Sequence, residues 1–398
     1  MEEKTFKKEK TNSKLYILLM VGIVSAFGPF VTDFYLPSFP SLMEYFDTTA
    51  SRVQLSLTFS MVGLAVGQLF IGPLSDKYGR KTPLITSLVV FCLSTLGCLF
   101  ASNIYAFIAF RLLQGLSGAG GVVISKSIAT DLYEDRELAK FYSMLSSVQG
   151  LAPICAPVLG GFMMGWTDWK GIFWTLFLIG VLLIVLVSFF IESLDKDKRL
   201  KGGILSTFAH YQPVMRNGQF MRYVMVQAFA MSVMFSYIAA SPFIFQVHFG
   251  ASPQVYGICF GMNAVAIMMG SLLVGKMKDT RRTLLKGCIC FATASLLVGA
   301  ALVYGTGMLE VEAALFVLLF CLGMILPTST TLALDMERQN SGIASALLGF
   351  LTFFFGGILS PLTGIGNMIH TTGGIIIACS IATLYCNMRA ARISKHEL

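Results

Sequence analysis

Long apolar runs repeat along the whole chain, and they constrain its fold more than any other feature. A transmembrane helix needs about 20 predominantly apolar residues to cross a hydrocarbon core of about 30 Å. Hydrophobic residues make up 55% and charged residues 13% of the 398-residue chain, a balance far from that of a soluble domain. The sequence therefore predicts an all-α polytopic membrane protein with twelve transmembrane helices, at residues 15–37, 52–72, 83–101, 104–126, 140–164, 171–191, 219–241, 254–275, 284–304, 311–332, 341–364 and 371–388.

The positive charges predict how these spans are oriented, because short loops rich in Lys and Arg are retained on the cytoplasmic side. With the N-terminus placed inside, all of the 29 Lys and Arg residues except Arg52, Arg111 and Lys170 fall in the tails or the even-to-odd loops. Both termini are therefore predicted to be cytoplasmic. The net charge of +8 then reflects topology and contact with anionic membrane lipid, and nucleic acid is not an expected partner.

A charged connection divides the spans into two sets of six. It runs from Glu192 to Gly218 and begins "ESLDKDKRLKGG". We predict an N-terminal six-helix bundle at residues 1–192, a cytoplasmic linker at 193–218 and a C-terminal six-helix bundle at 219–398. An offset of 203 or 204 residues relates matching residues of the two halves, which indicates a duplicated unit: Gly72 with Gly275, Asp76 with Asp279, Pro157 with Pro361 and Gly160 with Gly364.

Residues that carry enzyme chemistry or hold metal ions are scattered in this sequence. The nine Cys fall mostly inside apolar spans, and the four His form no ligand cluster. We find no Ser/His/Asp constellation, no nucleotide-binding loop and no filter sequence of a channel. The chain is therefore not expected to be an enzyme or a channel, and no metal or cofactor is predicted.

The stretch "GPLSDKYGRKTPL" concentrates charge between the second and third spans. It resembles the signature G-x-L-x-D-x-x-G-R-K-x-x-L of the major facilitator superfamily. The resemblance implies two pseudo-symmetric six-helix bundles and a loop that acts as a conformational latch. Gly72 is expected to permit a tight helix end and Gly79 a left-handed turn; alternatively, the charges only mark the inside. The latch residues are Gly72, Asp76, Gly79, Arg80 and Lys81.

Three further stretches strengthen this resemblance. "RLLQGLSGAGG" resembles the family's fourth-helix motif, which places Arg111 within the membrane. "GLAPICAPVLGG" resembles its fifth-helix antiporter motif, with Ala156 replacing the first glycine of the core pattern G-P-x-x-G-G. "TDFYLPSFP" is similar to the first helix of drug:proton antiporters, particularly the bicyclomycin-resistance (Bcr/CflA) subgroup. Helix packing is the expected role of the antiporter-motif residues Gly150, Pro157, Gly160 and Gly161.

Two intramembrane charges, Asp33 and Arg111, need a cavity or a partner, because each costs several kcal/mol in hydrocarbon. Counting residues from the outer ends of their helices places both at one depth, roughly 10 to 15 Å in at 1.5 Å per residue. We predict that Asp33 carries the proton and that Arg111 organises its network; the alternative is a fixed structural ion pair. The second half offers no counterpart, because the repeat offset takes these positions to Ser236 and Ala314. No other acid lies clearly at mid-depth, so a two-carboxylate scheme is not expected.

Polar and aromatic side chains at helical spacing suggest a substrate wall. Gln114 shares a small, polar face with Arg111, which suits either a cavity wall or plain helix packing. Aromatic and Met side chains give an adaptable apolar surface with a few polar handles, as a drug pocket needs. The predicted substrate residues are Phe30, Asp33, Gln114, Gln227, Met231, Phe235, Tyr237, Asn263 and Phe354.

The resemblance implies a proton-driven antiporter that exports small amphipathic compounds by alternating access, that is, multidrug efflux. The alternative is a dedicated proton-coupled exporter of one metabolite, such as an amino acid or a sugar. The expected partners are a small-molecule substrate, protons and membrane lipid, with the chain acting as a monomer. The expected location is the plasma membrane, in a bacterium the inner membrane.

Overall fold

Helices make up nearly all of the regular structure. The computed structural model of the chain describes residues 12–133, 135–199, 211–337 and 341–393, and no strand occurs among them. The helices are α1 Lys14–Asp33, α2 Phe39–Tyr45, α3 Ala50–Tyr78, α4 Lys81–Leu99, α5 Ile104–Leu132, α6 Asp135–Met163, α7 Trp169–Ser188, α8 Tyr211–Arg216, α9 Gly218–Pro242, α10 Pro253–Val274, α11 Thr280–Val303, α12 Met308–Met336, α13 Ser341–Leu359 and α14 Met368–Ile393.

Eleven helical segments of the described chain are long and apolar enough to cross a membrane. A twelfth, α6, has a shorter apolar part at Leu151–Met163. Each coincides with one of the spans predicted from the apolar runs, so the prediction of a multi-pass α-helical membrane protein is confirmed. Several helices begin where a short polar side chain caps free backbone N–H groups, as when Asn103 accepts from the N–H of Ala106 at 2.9 Å.

The first span is broken near its middle. Helix α1 ends at Asp33, a 3₁₀ turn covers Leu36–Ser38, and α2 continues from Phe39 to Tyr45. Pro37 lies inside the turn and cannot donate a backbone hydrogen bond. A non-helical stretch inside a membrane is tolerated only where protein or a cavity surrounds it, and residues 34–39 are all buried.

The loop between the second and third spans differs in one respect from the prediction. Gly72 was expected to end the second helix, but α3 continues through it to Tyr78. The helix ends instead at Gly79, whose φ of +92° favours glycine. Membrane helices tolerate an internal Pro such as Pro73, which follows Gly72, because other groups satisfy the freed backbone.

The two ends of the molecule differ in charge. The loop residues Lys77, Arg80 and Lys81 and the segment 276–286 lie at one end, called here the cation-rich end. The segments 46–49, 164–168 and 249–252 lie at the opposite, cation-poor end. The described parts of the predicted linker, 193–199 and 211–218, also lie at the cation-rich end. Its residues 200–210 lie outside the described part of the chain. The domain boundaries at 192 and 219 stay a prediction.

Two seams join helices α1–α7 to helices α9–α14 near the cation-poor end. In one seam α6 packs on α10, with Gly161 against the carbonyl of Pro253 and Gly257 against the carbonyl of Pro157, so that a Cβ on either glycine would overlap backbone. Gly160 lies in the same way against the carbonyl of Phe34. These contacts support a packing role for the antiporter motif. Gly150 also lies in α6, and its surroundings are outside the described part of the structure.

The second seam packs α3 on α13 and on the 3₁₀ turn that follows it. Thr58 and Ser360 place their hydroxyl oxygens 3.2 Å apart, and Gln54 donates to the carbonyl of Ala239 at 2.9 Å. The 203-residue offset relates the start of α3 at Ala50 to the start of α10 at Pro253. The two seams are therefore repeat-related, and they close the cation-poor end of the molecule.

Candidate functional site

Asp33 lies at the break in the first span, where the two halves meet. It is the last residue of α1 and is 7% exposed. The next residue, Phe34, lies against Gly160, and Gln246 of the other half donates to the carbonyl of Pro37 at 3.1 Å. The break that carries Asp33 thus lies beside an interface whose far side belongs to the second half.

Arg111 is fully buried on α5, next to the same break. Its guanidinium donates to the carbonyl of Val31 at 3.0 Å and to Gln114 Oε1, and it lies 4.1 Å from the centre of the Tyr35 ring. These contacts agree with the prediction that Arg111 and Asp33 share a depth. No ion pair joins them in the described part of the chain, so this conformation does not have the fixed pair considered as the alternative.

Gln114 and Tyr35 extend this network through the first half. Gln114 donates from Nε2 to Thr95 Oγ1 at 2.7 Å, and the Tyr35 hydroxyl lies 3.1 Å from Ser56 Oγ. Gln114 is fully buried and has both ends of its amide engaged. Its observed role is to position Arg111, and its predicted contact with substrate stays a prediction.

A second buried polar cluster lies in the second half, and it contains an acid that was not predicted to belong to the site. Asn263 Nδ2 donates to the Tyr237 hydroxyl and to Glu312 Oε2, each at 3.0 Å. Asn263 is 1% and Glu312 is 6% exposed. Glu312 is therefore a second buried acid, which the search for acids at mid-depth did not select. Hydropathy placed the start of the tenth span at residue 311, but α12 begins at Met308, which brings Glu312 one turn inside.

Tyr256 lies beside the second cluster. It is fully buried on α10, its hydroxyl lies 3.2 Å from Ser241 Oγ, and its ring lies edge-on to Phe260 with centres 6.1 Å apart. Glu312 and Tyr256 were not selected from the sequence, because each stands near the outer end of its span, where a polar side chain gives no signal.

Phe30 and Gln227 make their observed contacts with residues other than the members of the two polar clusters. Phe30 packs against Phe34 one turn further along, with ring centres 5.8 Å apart. Gln227 accepts hydrogen bonds from Ser329 and Thr330 of α12 at 3.1 and 2.7 Å. Gln227 thus helps to join α9 to α12, and its contact with substrate stays a prediction.

Three further predicted substrate residues lie elsewhere in the second half. Phe235 is buried between α9 and α13, in the space left by Gly356. Phe354 is 39% exposed and stacks on Phe350, with ring centres 5.6 Å apart. Met231 is partly buried against the core. Of the predicted residues in the second half, Tyr237 and Asn263 are brought into direct contact.

The charged loop forms a network inside the first half. Arg80 donates from Nε and Nη2 to the two carboxyl oxygens of Asp131 at 2.8 and 3.1 Å, and from Nη1 to Asp76 at 2.5 Å. The backbone N–H groups of Arg80 and Lys81 donate to Glu192 at 2.8 and 3.1 Å. Asp131 and Glu192 could not be assigned to this network from the sequence, because both are distant along the chain from the charged loop.

This network holds the loop while leaving its acid available. Burial disfavours the charged guanidinium of Arg80, but its hydrogen bonds to Asp131 and Asp76 outweigh that effect and raise its pKa. The Asp76 side chain remains 53% exposed. Among the described residues, the polar contacts of Arg80 and Lys81 stay within the first half, so the loop is not latched to the second half in this conformation.

Replacing Arg80 with Ala is expected to destabilise the protein by about 3–5 kcal/mol, because Asp131 is only 11% exposed and would be left without its partner. Arg80→Lys should recover part of this loss, since Lys cannot reproduce the two-pronged contact. Thermal unfolding of the purified variants measures the change. Arg282→Ala is the matched control, because Arg282 is exposed and pairs with the exposed Asp279 at 3.1 Å. Equal stability of Arg80→Ala and the wild type would contradict the assigned role.

The family of the chain follows from its similarity to known proteins. The model of the Major Facilitator Superfamily matches residues 18–361. The chain belongs to the major facilitator superfamily. This membership makes it a membrane transporter rather than an enzyme, as the sequence predicted.

Curated relatives cover almost the whole of this major facilitator transporter. It is 35% identical over 371 residues to the "Uncharacterized MFS-type transporter YdgK" of Bacillus subtilis, covering 92% of both chains. It is 28% identical to the "Bicyclomycin resistance protein homolog" of Haemophilus influenzae, over 95% of this chain and 97% of that one. It is 27% identical to the "Multidrug resistance protein MdtL" of Escherichia coli, over 92% and 94%. The resemblance to the Bcr/CflA branch is thereby confirmed.

Solved structures support the fold of the transporter. A D-xylose-proton symporter matches 93% of this chain and 97% of its own, with a TM-score of 0.75 and 15% identity. A bacterial homologue of the human lysosomal transporter Spinster, in an inward-facing and occupied conformation, matches 96% and 98% with a TM-score of 0.73 and 16% identity. At these identities the likeness establishes the major facilitator fold alone.

Proposed function

We propose that this transporter is a proton-driven exporter of small amphipathic compounds. The observation that carries the proposal is Asp33, a buried carboxyl at a break in the first span, beside Arg111 and against the other half. Intramembrane acids that are buried beside an interface mark ion and proton paths. The names of the relatives from Haemophilus influenzae and Escherichia coli favour drugs as the cargo.

The cation-rich end is proposed to face the cytoplasm, in line with the positive-inside rule. Both termini are then cytoplasmic, and the closed seams at the cation-poor end seal the site from the outside. In this orientation the described conformation is closed to the exterior. Alternating access requires the halves to rock so that this end opens and the Asp76 loop meets the second half.

Rocking changes the neighbours of Asp33 in a defined way. Arg111 belongs to the same half and moves with the carboxyl, whereas Gln246 belongs to the other half and moves away from the break. Burial favours the neutral carboxyl, and a nearby cation favours the charged one. The carboxyl therefore takes up a proton in one conformation and releases it in the other, with Arg111 holding the break in place.

Export of one metabolite by the same machinery is the second candidate. It requires a site with several specific polar contacts, whereas the aromatic and Met side chains of the second half offer an adaptable surface. Both candidates use Asp33 in the same way. The choice between them rests on the range of compounds that drive or inhibit transport.

Transport in proteoliposomes tests the proposal. Vesicles whose lumen is one pH unit more acidic than the bath should accumulate ethidium up to about tenfold, the gradient sustained by one-for-one electroneutral exchange. Nigericin should abolish the accumulation, and bicyclomycin should compete with it. Ethidium uptake that is unaffected by nigericin, or equal to that of protein-free vesicles, contradicts the proposal. Inhibition by a single amino acid or sugar, but by no drug, would favour the metabolite exporter.

A further inference from the structure

The cluster of Tyr237, Asn263 and Glu312 has more acceptor atoms than donors. Asn263 Nδ2 donates both of its hydrogens, one to the Tyr237 hydroxyl and one to Glu312 Oε2. Glu312 Oε1 and Asn263 Oδ1 are buried and have no hydrogen-bond partner among the described residues. Unsatisfied buried acceptors are rare in proteins, and each carries a cost of desolvation.

The missing partner is a donor with positive charge. An ionised carboxyl beside a free amide oxygen attracts a cation that brings several N–H groups. Among the described residues, no Lys or Arg forms an ion pair with Glu312. A proton on Glu312 would add only one donor, whereas a protonated amine can satisfy both oxygens.

Aromatic rings line one side of the cluster. The ring of Tyr237 stacks on Phe260 with centres 5.5 Å apart, and Phe260 lies edge-on to Tyr256 with centres 6.1 Å apart. Ring faces attract organic cations within about 6 Å. A carboxylate, an amide oxygen and aromatic faces together suit an alkylammonium group better than a metal ion, which prefers a fuller set of oxygen or nitrogen ligands.

We propose that Glu312, Asn263 and Tyr237, with Phe260, form a subsite for the protonated amine of an amphipathic cargo. The subsite rests on the proposed exporter function and assigns it a class of substrate, the organic ammonium ions. The subsite lies in the second half, at the same depth in the membrane as the closed seams. On α10 it occupies the face adjacent to the one through which Gly257 packs against α6. Its oxygens are sealed in this conformation, so the amine reaches them when the seam between α6 and α10 loosens.

Binding of two matched probes tests the subsite. Calorimetry on the purified full-length protein compares 4-phenylbutylamine, which is protonated at pH 7, with the neutral 4-phenylbutan-1-ol. The wild type is expected to bind the amine more tightly by roughly 10- to 100-fold, the range for hydrogen bonds to charged groups. Glu312→Gln should reduce this preference to about threefold or less while it keeps affinity for the alcohol, which also reports that the variant is folded.

Two further variants sharpen the test. Asn263→Leu removes the second acceptor and should also lower the preference for the amine. Glu310→Gln makes the same change two residues earlier, on an exposed side chain, and should retain the wild-type preference. The subsite is refuted if the wild type binds both probes equally or if Glu312→Gln keeps the full preference. Proton-driven ethidium uptake is measured separately, so the subsite can fail while the exporter function stands. If the wild type shows no such uptake, the exporter function itself is refuted.

Discussion

Asp33→Asn is expected to abolish proton-driven accumulation of ethidium, reducing a gradient of up to about tenfold to none. Asn has nearly the same shape as Asp, but its amide does not take up or release a proton at the pH of the vesicle lumen or of the bath. The break in the first span should survive, because its packing depends on Gly160, Pro37 and Gln246 rather than on the charge. Uptake of ethidium by vesicles with an acidic lumen measures the effect.

Exchange without a gradient separates a lost proton step from damage to the fold. Asp33→Asn should still exchange labelled for unlabelled ethidium across the membrane, because this exchange needs rocking but no net proton transfer. Asp47→Asn is the matched control, since Asp47 is an exposed acid at the cation-poor end of the same span. Full accumulation by Asp33→Asn would show that Asp33 has only a structural role.

Locking the cation-poor end is expected to stop transport almost completely. The hydroxyl oxygens of Thr58 and Ser360 lie 3.2 Å apart across the second seam, so cysteines at both positions place their sulfur atoms close enough for a disulfide after small adjustment. Oxidation of Thr58→Cys/Ser360→Cys should reduce ethidium uptake to the level of protein-free vesicles. Reduction should restore it, because the bond prevents the seam from opening.

The native cysteines require a control in this cross-linking experiment. Its nine cysteines are all free, so the oxidised wild type shows whether other disulfides affect transport. Thr58→Cys alone should remain active under the same oxidation. Undiminished transport by the fully cross-linked pair would mean that the halves do not separate at this seam, which rules out the proposed alternating access.

The fold could be read from the sequence because hydrophobicity and spacing act locally. Apolar runs specify spans, and Gly79 specifies the left-handed turn that ends α3. Gly72 was misread because glycine permits a helix end without requiring one, and the flanking residues continue the helix to Tyr78. Only the surroundings of a permissive residue decide which of its options is used.

The residues of the candidate site that lie in the first half of the chain could be predicted from the sequence, whereas the buried acid in the second half could not. Asp33 and Arg111 stood out as charges inside apolar runs, where their cost demands an explanation. Glu312 stood at the edge of a run, where a charge in water costs nothing and gives no signal. Its burial depends on α12 beginning at Met308 and on Asn263 from another helix, and a tertiary contact of this kind has no local signature.

Proton release on binding cargo tests the central claim most directly. Purified wild-type protein in weakly buffered detergent solution should release protons when ethidium is added, in an amount approaching one per bound dye, and Asp33→Asn should bind ethidium and release none. Equal release from both proteins, or dye binding by the wild type without release at any pH between 5 and 9, would contradict a proton exchanged at Asp33.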